Sequence, residues 1–291
     1  MALARIADLN GPPAEVAAHI EQAKQLSALY DDYIALVQDG HDRAPGIHAS
    51  ELYPCMRQAY YSVTGVARKP NVSKFWKQRF KMGTHIHLMV QEDFHALAKR
   101  SQKGEAMRVA SAMAEEMDCS IEFEDELTIS PKHQQLAAHY KIYSHCDGVF
   151  TFRNKTTGEV TLRVGLEIKS EAPDGYEKLK EPKHEHVRQA HIYMACLDLP
   201  LMWFFYMNKG NQNNTKSEAP YLITWRPDVW AELEQRIMTV HDYVDRGETP
   251  PRNETIVCEF CAWSYTCQPS AATKSFRRPP TRRETIRKGA K

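Results

Sequence analysis

Asp147, Glu167 and Lys169 are the residues whose types and spacing suit chemistry. Glu167 and Lys169 lie two apart in the apolar frame Gly165-Leu166-Glu167-Ile168-Lys169. On a strand both side chains leave one face and Ile168 leaves the other. Asp147 stands in HCDGVF, read as late in a strand, and the turn-forming run RNKTTG at 153–158 would bring it beside Glu167. Two carboxylates and an ammonium on one face of an apolar sheet are costly unless they pair or hold a metal. Hard oxygen ligands with room for water suit Mg²⁺ or Mn²⁺. An isolated Glu-x-Lys is more often a solvated strand face, and the Asp-Gly and apolar frame shift that balance modestly.

Further polar residues point the same way. In MGTHIHLMVQEDF, His87 shares a helical stripe with Val90, Phe94 and Leu97, whereas His85 falls on roughly the opposite side. A core imidazole needs a partner, and a metal held by Asp147 and Glu167 would supply one. His186, Gln189 and Tyr193 recur at i, i+3 and i+7 on a later helix and share a face.

The cysteines form a second constellation. Three crowd into Cys258-x2-Cys261-x5-Cys267, and Cys55, Cys119, Cys146 and Cys196 are scattered. Three thiols in one short loop want a metal, with a fourth ligand from elsewhere. A four-cysteine site accepts zinc or an iron–sulfur cluster. Cys119, Cys146 and Cys196 read as small buried hydrophobes.

The elements that must position these groups are legible in outline. Residues 13–39 read as a helix, 48–65 contain a helix start, and 74–100 form a long helix followed by more helix over 101–118. Strands are expected at 120–130, 139–152 and 159–170, then a helix at about 180–197. WFFYM at 203–207 and YLITW at 221–225 read as strands around a polar loop, NKGNQNNTKSE, before an amphipathic helix at 227–246. The class is α/β with a mixed sheet. The expected division is an N-terminal helical extension over 1–45, a main domain over 46–270 and a basic tail over 271–291.

Composition narrows the function. The chain has 291 residues, 42% hydrophobic and 26% charged, which excludes a mostly disordered protein. The longest apolar run, at 199–207, is too short to span a membrane, no secretory signal is visible, and a cytoplasmic protein is expected. Net charge is +1, yet residues 274–291 hold eight Lys or Arg and one Glu. The remainder is therefore acidic, so any nucleic-acid contact needs a local site, with the tail as an accessory.

Taken together, the motifs resemble the PD-(D/E)XK nuclease superfamily, and more narrowly its RecB-like iron–sulfur branch, which includes CRISPR-associated exonucleases and AddB-type nuclease domains. The matching residues are Gly83 and His87, Asp147, Glu167 and Lys169, Gln189 and Tyr193, and Cys55 with Cys258, Cys261 and Cys267; SELYPCMRQAYY resembles the family's opening motif. The resemblance covers roughly 48–268. It departs in the N-terminal extension, the basic tail and a long interval between Asp147 and Glu167. It implies a restriction-endonuclease-like core with a C-terminal Cys-cluster loop. It also implies a metal site of His87, Asp147, Glu167 and the Ile168 carbonyl, with Lys169 orienting or deprotonating water and Gln189 and Tyr193 positioning the strand or the water. It favours a [4Fe–4S] cluster over zinc on the four cysteines. The expected activity is a Mg²⁺- or Mn²⁺-dependent deoxyribonuclease, an exonuclease on DNA ends or single strands, with Trp76, Phe80, Tyr60 and Tyr61 available for base stacking or core packing. Protein partners of a recombination, CRISPR-adaptation or phage DNA-processing complex are implied. The alternatives are a non-cleaving DNA-binding protein or a zinc-stabilised scaffold.

Overall fold

A computed structural model describes residues 43–69, 74–103, 119–217, 221–252, 258 and 261–267. The helix expected at 13–39, most of the one at 101–118 and the basic tail lie outside the described residues.

Two short helices, α1 (Ala49–Leu52) and α2 (Met56–Val63), precede the long α3 (Lys74–Gln102). Pro54 lacks an N–H and Cys55 is extended, so the 48–65 segment makes two helices. Then come β1 (Cys119–Ile129), α4 (Gln135–Tyr140), β2 (Ser144–Asn154) and β3 (Val160–Glu171). The helices α5 (Pro173–Lys178) and α6 (His184–Leu197) lead to β4 (Leu201–Asn208), β5 (Asn211–Lys216) and β6 (Leu222–Thr224). The last elements are α7 (Pro227–Asp245) and α8 (Ser264–Cys267).

The strands form one mixed sheet in the order β1-β2-β3-β4-β5, with β6 also pairing β4. Among the described strands only β3 and β4 run parallel, and α5 and α6 supply the crossover that a parallel pair needs. This is the mixed α/β sheet flanked by helices that the sequence predicts.

Three sequence expectations change. The strand expected at 139–152 starts at Ser144, because residues 135–140 coil into α4 and Lys141 ends that helix in the left-handed conformation (φ 52°). Asp147 therefore stands early in β2, not late. The polar loop after β4 contains strand β5, an edge strand held to β4 by backbone pairing despite its polar sequence. The helix α5 was not expected from the sequence; Pro173 at its first turn starts it.

Alternation on β3 divides the chemistry from the packing. Val164, Leu166 and Ile168 pack with Ile86 and Val90 of α3. The other core holds Tyr193 and Met194 of α6, Leu233 and Ile237 of α7, and Leu52 of α1. Glycine beside Asp147 is a steric requirement: a Cβ at Gly148 would sit 2.4 Å from the Phe123 ring.

Candidate active site

The site lies where β2 and β3 part. Their ladder runs from Arg153–Val160 to Gly148–Leu166 and stops there. One step further, Asp147 Oδ2 accepts the Ile168 N–H at 2.7 Å, so a carboxylate replaces the missing strand partner. This fixes Asp147 beside Glu167. His87 reaches across from α3 and places Nδ1 3.4 Å from Asp147 Oδ1. His85, two residues earlier, is exposed.

Glu167 is 1% exposed and forms an ion pair with Lys169. Its other oxygen, Oε2, is buried without a hydrogen-bond partner. Lys169 Nζ also approaches Gln189 Oε1 at 3.4 Å, and Gln189 donates to the Tyr193 hydroxyl at 2.6 Å. His186 turns instead to the Tyr206 hydroxyl, 2.7 Å away. The structure thus brings His87, Asp147, Glu167, Lys169, Gln189 and Tyr193 into one chain of contacts. Ile168 contributes its backbone N–H to that chain, and its side chain is fully buried in the α3 core.

Electrostatics follow from burial. Burial pushes the Glu167 carboxyl up to about 7; Lys169 opposes this and Asp147 adds to it. Burial works against charging Lys169, but the Glu167 and Asp147 carboxylates outweigh it and hold the ammonium above its ordinary range. His87 is likewise raised, with the Asp147 bond and charge outweighing burial. Burial raises Tyr193 well above the usual phenol value, so it stays neutral. For His186, burial and the neighbouring Lys169 and Lys183 push the imidazole down to about 2.

A raised carboxyl contributes stability that is present below its unfolded value and lost as pH rises through its folded one. For Glu167 that window is 4.5 to about 7, and His87 slopes the same way from 6.5 upward. With chelator present, Tm is expected to fall as pH rises from 5 to 7.5. A divalent cation held at Glu167 would flatten that slope, because it would take the place of the proton. Thermal denaturation at matched pH with and without Mg²⁺ reads both, and a rising Tm in chelator contradicts the assignment.

These groups line a cleft of about 720 Å³. A neighbouring cavity of about 570 Å³ shares Arg43, Ser50, Lys169 and Gln189 with it. Arg43 and Arg68 both bind the buried Glu51, at 3.2 and 2.7 Å, and Arg68 lies over the Trp263 ring. The sequence reading missed Arg43, Gln91 and Glu126. Gln91 is one turn beyond His87 on the same stripe, which is the signal that would have found it.

The cysteine segments meet. The Cys261 thiol, raised chiefly by burial, also feels Cys55 and Cys258. Cys267 Sγ accepts a bond from Arg57 at 3.3 Å. Lys69 N–H bonds the Ala262 carbonyl, and Trp263 Nε1 bonds the Val66 carbonyl, both at 2.8 Å. Among the described residues no three His, Cys, Asp or Glu side chains converge as a finished chelate. Cys146 and Cys196 are buried and Cys119 half-buried. Tyr60 and Tyr61 belong to the core, Phe80 is exposed, and the Trp76 side chain lies outside the described residues. No helix among the described residues is long and apolar enough to cross a membrane.

No protein-family model and no curated protein matches the chain. Among solved structures, it is similar to SSO0001 at 12% identity and a TM-score of 0.46, over 84% of this chain and 96% of that one. It is also similar to LHK-Exo, an alkaline exonuclease from Laribacter hongkongensis, at 14% identity and a TM-score of 0.43, over 70% and 90% of the two chains. A second structure of LHK-Exo, in complex with dAMP, gives 16% identity and a TM-score of 0.41, over 70% and 89%.

Proposed function

We propose that the chain is a metal-dependent deoxyribonuclease of the PD-(D/E)XK type, most specifically an exonuclease acting on DNA ends or single strands. The observation that carries this reading is the Asp147–Glu167–Lys169 cluster at the strand fork, with Glu167 Oε2 buried and unpartnered. A buried oxygen without a partner costs roughly 1–3 kcal/mol, more for a charged group. A divalent cation at the fork removes that cost, so the residues fit Mg²⁺ or Mn²⁺.

Asp147, Glu167 and the Ile168 carbonyl would hold the ion, with His87 on the α3 side. When bound, the ion supplies Lewis-acid charge and lowers the pKa of water. Lys169 keeps its proton, so its part is to orient water and oppose charge on the scissile phosphate. Gln189 fixes the Lys169 ammonium, and neutral Tyr193 anchors Gln189. Arg43 adds positive charge to the cleft wall for a phosphodiester backbone.

Cys55, Cys258, Cys261 and Cys267 would hold a [4Fe–4S] cluster with a structural role. Partners of a recombination, CRISPR-adaptation or phage DNA-processing complex belong to the same reading.

Digestion of end-labelled single- and double-stranded DNA with Mg²⁺, Mn²⁺ or chelator tests the proposal. Cleavage is expected with either metal and none with chelator. His87→Ala is expected to slow it roughly 10- to 100-fold and to weaken metal binding, and His85→Ala to change it little. Metal-independent cleavage, or no cleavage with either ion, refutes the reading.

A further inference from the structure

Lys209 occupies the tight turn that joins β4 to β5, where Asn208 pairs with Asn211. The turn is braced on both sides. Lys209 N–H bonds the Glu171 carbonyl at 2.8 Å, and Gly210 N–H bonds Oδ1 of the buried Asn208 at 2.8 Å. A lysine at a hairpin tip ordinarily keeps its charged head in water. Lys209 is instead half-buried, and its Nζ turns back to α3 and donates to the Arg79 carbonyl at 3.4 Å.

The ammonium held there is unbalanced. Burial and then the Arg79 charge push it below its ordinary range, and the one carboxylate that opposes them, Glu171, is paired with Lys183. Among the described residues Lys209 has no ion-pair partner. Ser170 faces the same spot. α3 carries no side chain at Gly83, where a Cβ would lie 3.3 Å from Ser170 Oγ and 3.9 Å from Lys209 Nζ. A hydroxyl and an ammonium thus converge on one bare stretch of helix, and that hydroxyl makes no hydrogen bond among the described residues. A charge-assisted bond to an oxyanion would satisfy both groups. Gly83 lies one turn before His87, roughly 6 Å along the axis. One strand of B-DNA rises ~3.4 Å per nucleotide, so a strand running along α3 from the fork brings another phosphate to Gly83 within about two nucleotides.

We propose that Lys209 and Ser170 seat a backbone phosphate flanking the scissile one, the ammonium supplying charge and the hydroxyl a hydrogen bond. This rests on the deoxyribonuclease reading above and adds a substrate contact outside the metal centre. A phosphate seat reads no base, so it sets affinity and register rather than sequence preference.

The test is binding of end-labelled single-stranded DNA by the full chain at one fixed Ca²⁺ concentration, over about 50–200 mM KCl. Lys209→Gln is expected to weaken binding roughly 5- to 10-fold at the lowest salt and to cut the slope of log K against log salt by ~0.7, the value of one phosphate contact on a single strand. Lys209→Arg is expected to keep the slope. Ser170→Ala is expected to cost roughly 2- to 10-fold with the slope unchanged, because the hydroxyl is neutral. Lys155→Gln removes the same charge at the far tip of the β2–β3 hairpin and is expected to change neither quantity. One methylphosphonate within about two nucleotides of the scissile position is expected to weaken wild type and to leave Lys209→Gln unaffected. Matched Tm values confirm the fold of each variant. An unchanged slope in Lys209→Gln overturns the proposal, and so does an equal loss in Lys155→Gln, which marks diffuse charge. If wild type binds DNA and cleaves it with metal while Lys209→Gln binds as well, only the phosphate seat falls. If wild type neither binds nor cleaves DNA, the deoxyribonuclease reading falls with it.

Discussion

Glu167→Gln and Asp147→Asn are each expected to lower DNA cleavage by roughly 10²–10³ or more, with DNA affinity changed only a few-fold. The Asp147 carboxylate has two tasks at the fork. One oxygen accepts the Ile168 N–H and the other faces His87. An asparagine keeps the first bond but carries no charge for a cation. Glu167→Gln likewise removes the buried charge that balances Lys169. Lys169→Met is expected to fall as far, because the ammonium that both carboxylates hold protonated disappears. All three are expected to act on charge that develops during reaction rather than on strand binding. Rates on end-labelled DNA, with binding measured in Ca²⁺ and circular dichroism confirming the fold, provide the check. Near-wild-type cleavage by any one variant would sink the assignment.

The second large effect is expected at the cysteines. Replacing Cys55, Cys258, Cys261 or Cys267 by Ser is expected to give one shared phenotype: loss of the brown chromophore of anaerobically purified protein and a Tm lower by at least ~5 °C. The segments that carry Cys55 and Cys261–Cys267 meet through the Lys69–Ala262 and Trp263–Val66 bonds and the Arg57–Cys267 bond. A cluster closing a loop of ~200 residues strongly restricts the unfolded chain, because closure entropy grows with the logarithm of length. A shift of that size corresponds to roughly 2 kcal/mol for a domain of this length. Cys119→Ser, Cys146→Ser and Cys196→Ser are expected to keep the chromophore. Absorbance spectra and metal analysis separate the outcomes. Stoichiometric zinc on the same four residues keeps the staple and removes the iron–sulfur cluster, and unaltered stability in all four variants removes both.

The polar half of the site was legible because periodicity carries direction. Two-residue spacing put Glu167 and Lys169 on one face, and 3.6-residue spacing turned His87 inward and His85 outward. Gln189 and Tyr193 followed from the same rule. Glu126 was illegible because its placement depends on a left-handed backbone inside a strand, which no pattern in EFEDELTI announces. Arg43 was missed because it acts from a loop whose position is set by the bridge between Ile47 and Ile142. Strand β5 reads as loop in sequence because its residues are all polar, and pairing with β4 overrides that preference at a sheet edge. The start of β2 was misplaced because HYKIYSHC alternates in a way that suits a strand, while tertiary packing of Ala137 and Tyr140 favours one short helix first.

The bonds between residues 66–69 and 262–263 also set the order of assembly on the ribosome. The segment 43–69 leaves the tunnel before its partners, which are Ile142, helices α6 and α7, and finally Ala262 and Trp263. At ~5–20 residues per second, about 10–40 s separate its synthesis from that of its last contact. Arg43, His48 and Ser50 line one side of the cleft, and the contacts of their segment with residues 262–263 are complete only when the Cys loop has been translated. The carboxylates and Lys169 are in place on their strands well before then. A nascent chain therefore carries Glu167 and Lys169 for many seconds before the last contacts of the segment across the cleft can form.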